Sequence, residues 1–231
     1  MSITQTFAQK AISYFLNLER PPILPKGITV LNPYENNSVK EIVTKFFLKY
    51  FDDSQKRIFI LGINPGRLGG GITGISFTDP VALEAFCGIK NYFDKKTELS
   101  SKYAYSFIEQ TGSVEEFYSR FYISALYPLA FIKDGKNYNY YDDMRLYKAI
   151  RPGIIDALNK QFEFGASKKF AVCLGRKNYK FLSEINNEYN FFDQIAVLDH
   201  PRFIMQYRKK QLNYYLEQYV SVLKSAEKFL G

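Results

Sequence analysis

Four polar residues stand at or just beyond the ends of apolar runs of strand character. They are Asn64 after 57–63, Ser124 near the end of 117–126, Arg176 after 168–174 and His200 after 195–198. Open α/β sheets place their ligand sites outside the carboxyl ends of their strands, so these positions converge on one region. His200 is the only histidine of the chain and opens His-Pro-Arg, and an imidazole is the side chain whose charge is most readily set near neutral pH. Asp79 supplies a carboxylate that either orients or deprotonates a water near Asn64 or caps the helix that Pro80 begins.

The loop after Asn64 is built for close contact. Six glycines fall between Gly62 and Gly74, and Pro65 fixes a turn angle beside Asn64, so a ligand can approach the main chain. No Lys-Ser or Lys-Thr follows the glycines and no GxGxxG with a distant acid is present, which sets aside the phosphate-loop and dinucleotide readings.

The run Gly62-Ile-Asn-Pro-Gly66, followed by Thr73-Gly-Ile-Ser-Phe77, resembles the first motif of the single-strand-selective monofunctional branch of the uracil-DNA glycosylase superfamily. There Gly-Met-Asn-Pro-Gly precedes Thr-Gly-Val-Pro-Phe. The second motif of that superfamily begins His-Pro, as does His200-Pro201, and the resemblance spans about 57–210. It implies a monofunctional DNA glycosylase that hydrolyses the N-glycosidic bond of deoxyuridine and leaves an abasic site. The partner is DNA containing uracil or another deaminated base; no metal, organic cofactor or obligate protein partner is implied.

On the same resemblance Asn64 positions the attacking water, His200 donates a hydrogen bond to uracil O2 and Phe77 stacks on the extruded base. Gly62, Ile63, Pro65 and Gly66 complete the base site. The branch reads a base edge with an Asn in a stretch like His-Asn-Leu-Cys-Pro-Leu, but counting back from Pro128 puts Ala125 there. Base reading then falls to the adjacent Ser124, to main-chain groups or to a side chain elsewhere. Arg67, Arg176, Lys177, Arg202, Arg208, Lys209 and Lys210 are candidates for DNA phosphates. Phe203, in the stretch Arg202-Phe-Ile-Met205 read as a loop, is a candidate wedge. A lesion sensor that binds without cutting, motivated by Ala125, and a hydrolase of free nucleosides or nucleotides, motivated by the glycine loop, are the alternatives.

Behind these residues the chain has 231 positions, 46% hydrophobic and 17% aromatic residues and a formal charge of +8. This fits one domain over 1–231 with a sizeable core, and makes a polyanion a plausible partner. Residues 1–51 read as a helical scaffold and 57–210 as the motif-bearing core. Helices are expected over 3–18, over 38–50 from a Ser38/Glu41 capping box, over 144–162 with Pro152 starting or interrupting it, and over 206–229. Residues 26–37 and 134–143 read as irregular, and 88–116 as a polar stretch without assigned function. Four apolar strands with helical connections predict an α/β fold, a three-layer α/β/α sandwich around a four-stranded parallel sheet. Cys87 and Cys173 lie far apart in apolar or helical surroundings, which suggests reduced thiols rather than a disulfide or cluster. With no secretory or membrane-spanning pattern, a cytoplasmic location is expected.

Overall fold

The computed structural model describes residues 5–230. In chain order it contains α1 (Phe7–Leu16), β1 (Ile28–Leu31), α2 (Asn37–Phe51), β2 (Arg57–Gly62), α3 (Gly70–Thr73), α4 (Pro80–Ala85), α5 (Leu99–Gln110) and α6 (Val114–Arg120). There follow β3 (Phe121–Ala125), β4 (Ala130–Lys133), β5 (Lys136–Tyr138), α7 (Met144–Phe164), β6 (Ala166–Leu174), α8 (Arg176–Tyr189), β7 (Ile195–Leu198), α9 (Pro201–Tyr207) and α10 (Leu212–Ala226).

Strand β2 is buried at every position, as expected of a central strand whose two faces are both covered. It pairs in parallel with β3 on one side and β6 on the other, and β7 adds to β6, giving the order β3-β2-β6-β7. Helices flank this sheet in the expected three-layer α/β arrangement: α7 and α8 pack on β6, α6 against β2 and β3, and α10 against β7. All four carboxyl ends therefore point to one edge, which positions the site. At the opposite end of β2 a fully buried Arg57 is matched by Asp53 at 2.5 Å and by the carbonyls of Tyr118 and Tyr50. A buried charge with these partners anchors the strand's start.

Several sequence expectations are corrected. Helix α2 is capped by Asn36, whose side chain accepts from the Ser38 N–H at 2.8 Å, so Ser38 lies inside the helix. Capping boxes are found instead with Thr6 and Gln9 at the start of α1 and with Ser113 and Glu116 at the start of α6. That helix takes 117–120 out of the expected strand, because its cap outweighs the β propensity of Phe117 and Tyr118. Helix α7 runs unbroken through Pro152. Buried Leu146, Tyr147 and Ile150 before the proline and Ile154 and Leu158 after it hold both halves against the core, offsetting roughly 3 kcal/mol of intrinsic cost.

The segments read as irregular supply β1 and β5, which with β4 between them form a second, antiparallel sheet in the order β1-β4-β5, and the stretch 88–116 contains α5 and the start of α6. The stretch 202–205 is helical, within α9, and Ile204 is fully buried; it therefore serves the core. The expected helix over 206–229 breaks at Arg208, and a one-turn helix at Lys209–Gln211 precedes α10. The start of the first expected helix, at residues 3–4, lies outside the described residues. Both cysteines are free and buried. Among the described residues no helix is long and apolar enough to cross a membrane.

Candidate active site

A cleft of about 390 Å³ opens at the carboxyl ends of the central strands, with Asn64, Phe77, Glu98, Ala125, His200 and Arg202 among its lining residues. Asn64 follows β2 by two positions, and both ends of its amide are held. Its Oδ1 accepts from the Tyr140 N–H at 3.1 Å, and its Nδ2 donates to the Tyr138 carbonyl at 3.2 Å. Only one orientation of the amide satisfies both bonds, so the network fixes which atom points where. Tyr140 is itself anchored: its hydroxyl donates to Asn178 Oδ1 at 2.7 Å, while Asn178 Nδ2 donates to the Gly62 carbonyl at 3.1 Å. Each amide atom of Asn64 retains capacity for one further bond toward the cleft.

Phe77 adopts φ 55, a left-handed conformation that a bulky residue holds only when its surroundings over-determine it. The Thr73 hydroxyl does so by donating to the Thr78 carbonyl at 2.7 Å. The Phe77 ring lies directly over Gly62, where a Cβ would come within 2.5 Å of Cε2, so Gly62 is the seat of the ring rather than part of the cleft wall. Phe77 also lies beside His200, with ring centroids 5.6 Å apart and the rings tilted by 41°.

His200 caps α9: its Nδ1 accepts from the Arg202 N–H at 3.2 Å. That bond places the proton on Nε2 and makes the imidazole a neutral donor through Nε2–H. Burial, with the nearby Arg202 guanidinium, pulls its pKa down to about 4, so the neutral form holds at physiological pH.

Asp79, a candidate for water chemistry from sequence, is almost fully buried and is not among the residues lining the cleft. Its Oδ1 accepts from Val81 and Ala82 at 3.0 and 2.8 Å, and its Oδ2 from the Glu98 N–H at 2.7 Å. The geometry is that of the cap of α4, and it ties α4 to the start of α5.

The carboxylate on the cleft is Glu98, which the sequence reading missed. It lies in a polar stretch with no motif, and nothing in its neighbours' spacing announces that it folds against Gly66 and Gly69, where a Cβ on either glycine would run into it. Burial, then the Asp79 charge, pushes its pKa up to about 7, with Arg202 opposing.

Of the other sequence candidates, Ile63, Pro65 and Gly66 line the cleft. Ser124 does not: its hydroxyl donates to Gln161 on α7, because alternation along β3 turns it away and presents Ala125 instead. Asn137 and Asn139, which sequence reading left in a loop, also line the cleft. Asn137 Oδ1 accepts from the Arg67 N–H at 2.9 Å and Asn139 Nδ2 donates to Asp142 Oδ2 at 2.9 Å, which leaves Asn137 Nδ2 and Asn139 Oδ1 with capacity. Arg202 and Phe203 stand at the cleft, with the Arg208 guanidinium 5.1 Å from the Phe203 ring centre. Arg67, Lys209 and Lys210 are exposed. Lys177 lies 4.4 Å from the ring centre of cleft-lining Tyr141 and pairs with Asp142. Arg176 pairs with Asp199 and does not line the cleft.

The sequence profile of the uracil DNA glycosylase superfamily matches residues 48–224. Among solved structures, the wild-type crystal structure of Pedobacter heparinus SMUG2 is similar, with 42% sequence identity and a TM-score of 0.93 over 97% of this chain and 100% of that one. No curated protein sequence matches the chain. With more than half of its length matched and both motifs meeting at one cleft, this chain belongs to the uracil DNA glycosylase superfamily, whose members are hydrolases acting on N-glycosyl bonds in DNA.

Proposed function

We propose that this protein excises uracil, and other deaminated bases that fit the same cleft, from DNA by hydrolysis of the N-glycosidic bond, as the first step of base excision repair in the cytoplasm. The observation that carries this reading is the meeting of Asn64, Phe77 and His200 around one cleft. The target bond is inaccessible within a base stack, so the nucleotide must be extruded at a cost of a few kcal/mol. Phe77 offers the extruded base an aromatic face. Asn64, held by Tyr138 and Tyr140, directs a water at the anomeric carbon. His200, neutral and donating through Nε2–H, meets the negative charge that develops on the leaving base, a preorganised donor in a partly dry site. Asn137 and Asn139 take over the reading of the base edge that Ala125 cannot perform. Arg67, Arg202, Arg208, Lys209 and Lys210 receive phosphates, with Lys177 at the flank. The whole chain acts as one unit, with 1–51 as scaffold.

The test is incubation with oligonucleotides carrying a single uracil, hypoxanthine or xanthine, in single and double strands, followed by alkali. Strand cleavage at uracil is expected. Binding without cleavage would support a lesion sensor instead, and release of base from free deoxyuridine alone would support a nucleoside hydrolase.

A further inference from the structure

Glu98 is the one carboxylate among the residues lining the cleft, and its placement is unusual for its position in the chain. It occupies the N-cap of α5, where an acidic side chain ordinarily accepts from the first-turn amides, yet it makes no such bond. Its backbone N–H is instead clamped to Asp79 Oδ2 at 2.7 Å, and its side chain is turned onto the backbone at Gly66 and Gly69, in the cleft that Asn64, two residues before Gly66, also lines. Among the described residues its carboxyl oxygens accept no hydrogen bond. A carboxyl group withheld from its local partners and presented to a cleft has capacity for a water. Asn64 cannot fill the same role, because an amide can hold a water but cannot take its proton.

We propose that Glu98 is the catalytic base of this site, accepting a proton from the water that Asn64 holds. The inference rests on the glycosylase reading above. In the step, the water oxygen bonds to C1′ of the deoxyribose while one of its protons passes to the Glu98 carboxylate. The C1′–N bond breaks and its electron pair leaves with the base, whose anion is met by His200 Nε2–H. The products are a C1′ hydroxyl, a protonated Glu98 and a base anion, and the proton then passes to the base or to solvent. Charged residues on the elements around Glu98 are Asp79 at the cap of α4, Arg67 between the two glycines, Arg202 on α9 and Lys102 on α5. Asp79 raises its proton affinity and Arg202 lowers it, leaving a pKa of about 7, the range in which a base is both ionised and strong enough to act.

The test uses the full chain and single-turnover excision of uracil from an oligonucleotide between pH 5.5 and 9, with thermal unfolding and DNA affinity measured alongside. The wild-type rate should rise about tenfold per unit to a plateau near pH 7. Glu98→Gln should be slower at the plateau by on the order of 10²-fold or more, with a flat profile and near-normal DNA affinity. Glu98→Asp, which keeps the charge on a shorter stem, should be slowed but retain the rising limb. A Glu98→Gln rate within about threefold of wild type, or an unchanged profile, overturns the proposal; so does a flat profile for Glu98→Asp if the Gln variant fails to fold. A wild-type protein that excises no base overturns the glycosylase reading as well, which separates the two failures.

Discussion

Tyr140 donates its backbone N–H to Oδ1 of Asn64 over 3.1 Å, across 76 positions of sequence. With Tyr138 holding Nδ2, the amide is oriented before any substrate arrives, which is the form of preorganisation that lowers a barrier. Asn64→Ala should slow single-turnover excision by on the order of 10²-fold or more. It should also cost about 1–3 kcal/mol of stability, because the Tyr140 N–H and Tyr138 carbonyl lose their partner. Tyr140→Phe leaves Asn178 Oδ1 buried without a partner, so it should also cost about 1–3 kcal/mol in denaturant unfolding but slow excision far less. Near-normal excision by Asn64→Ala would remove the amide from the chemistry.

His200 and Glu98 give the cleft opposite linkages to pH. His200 has its pKa pulled down to about 4 in the folded chain, against about 6.5 unfolded. Between these values the unfolded chain binds more protons, so this contribution to stability is present above about 6.5 and lost as pH falls through about 4. Glu98 is raised to about 7 from about 4.3, so its contribution is complete below about 4.3 and lost as pH rises through 7. His200→Gln should therefore lose less stability than wild type in urea unfolding between pH 6.5 and 4.5. It should also slow excision by on the order of 10²-fold at pH 7, since the flexible glutamine amide does not hold an N–H where the imidazole ring fixes Nε2–H. Parallel stability curves for the two proteins would mean that His200 is not buried neutral.

The residues that could be read from sequence are those whose role follows from local pattern. Asn64 and His200 each come two positions after an apolar strand, and once the parallel sheet is inferred their meeting at one edge follows from strand direction. Asp79 before Pro80 could be placed near a helix start, but only the tertiary bond from the Glu98 N–H shows why its carboxylate is turned inward. Ser124 and Ala125 differ by one position, and the alternation of β3 decides which faces the cleft; the sequence reading placed the start of that strand four residues early, inside α6. Glu98, Asn137 and Asn139 reach the cleft through long-range packing of α5 and β5, elements whose polar sequences carry weak periodic signals. The arrangement of 202–205 differs from the expected loop because His200 caps a short helix, a role masked by its place in the His-Pro motif.

Gly62 offers a test of how the stacking ring is held. A Cβ there would meet Phe77 Cε2 at 2.5 Å, and Phe77 cannot yield easily while its backbone is pinned at φ 55 by the Thr73–Thr78 bond. Gly62→Ala should push the ring toward His200 and slow excision about tenfold or more, with DNA affinity nearly unchanged. Phe77→Ala should remove stacking of roughly 1–3 kcal/mol. Because both act through one ring, the double variant should be little worse than Phe77→Ala alone. Additive losses would show that Gly62 acts by another route.

The charge beside the second motif can be assigned by salt. Arg202 lines the cleft, Arg208 lies against Phe203, and Lys209 and Lys210 follow in an exposed one-turn helix. Neither lysine makes an ion pair among the described residues, so both are available to phosphates, each of which releases condensed counterions when neutralised. Lys209→Gln with Lys210→Gln should weaken binding of uracil-containing and normal DNA alike and reduce the slope of log affinity against log salt by about one to two units. Single-turnover excision at saturating protein should stay close to wild type, because neither lysine lines the cleft. A slope unchanged by the double substitution would return these charges to solvent and leave Arg202 and Arg67 to hold the strand.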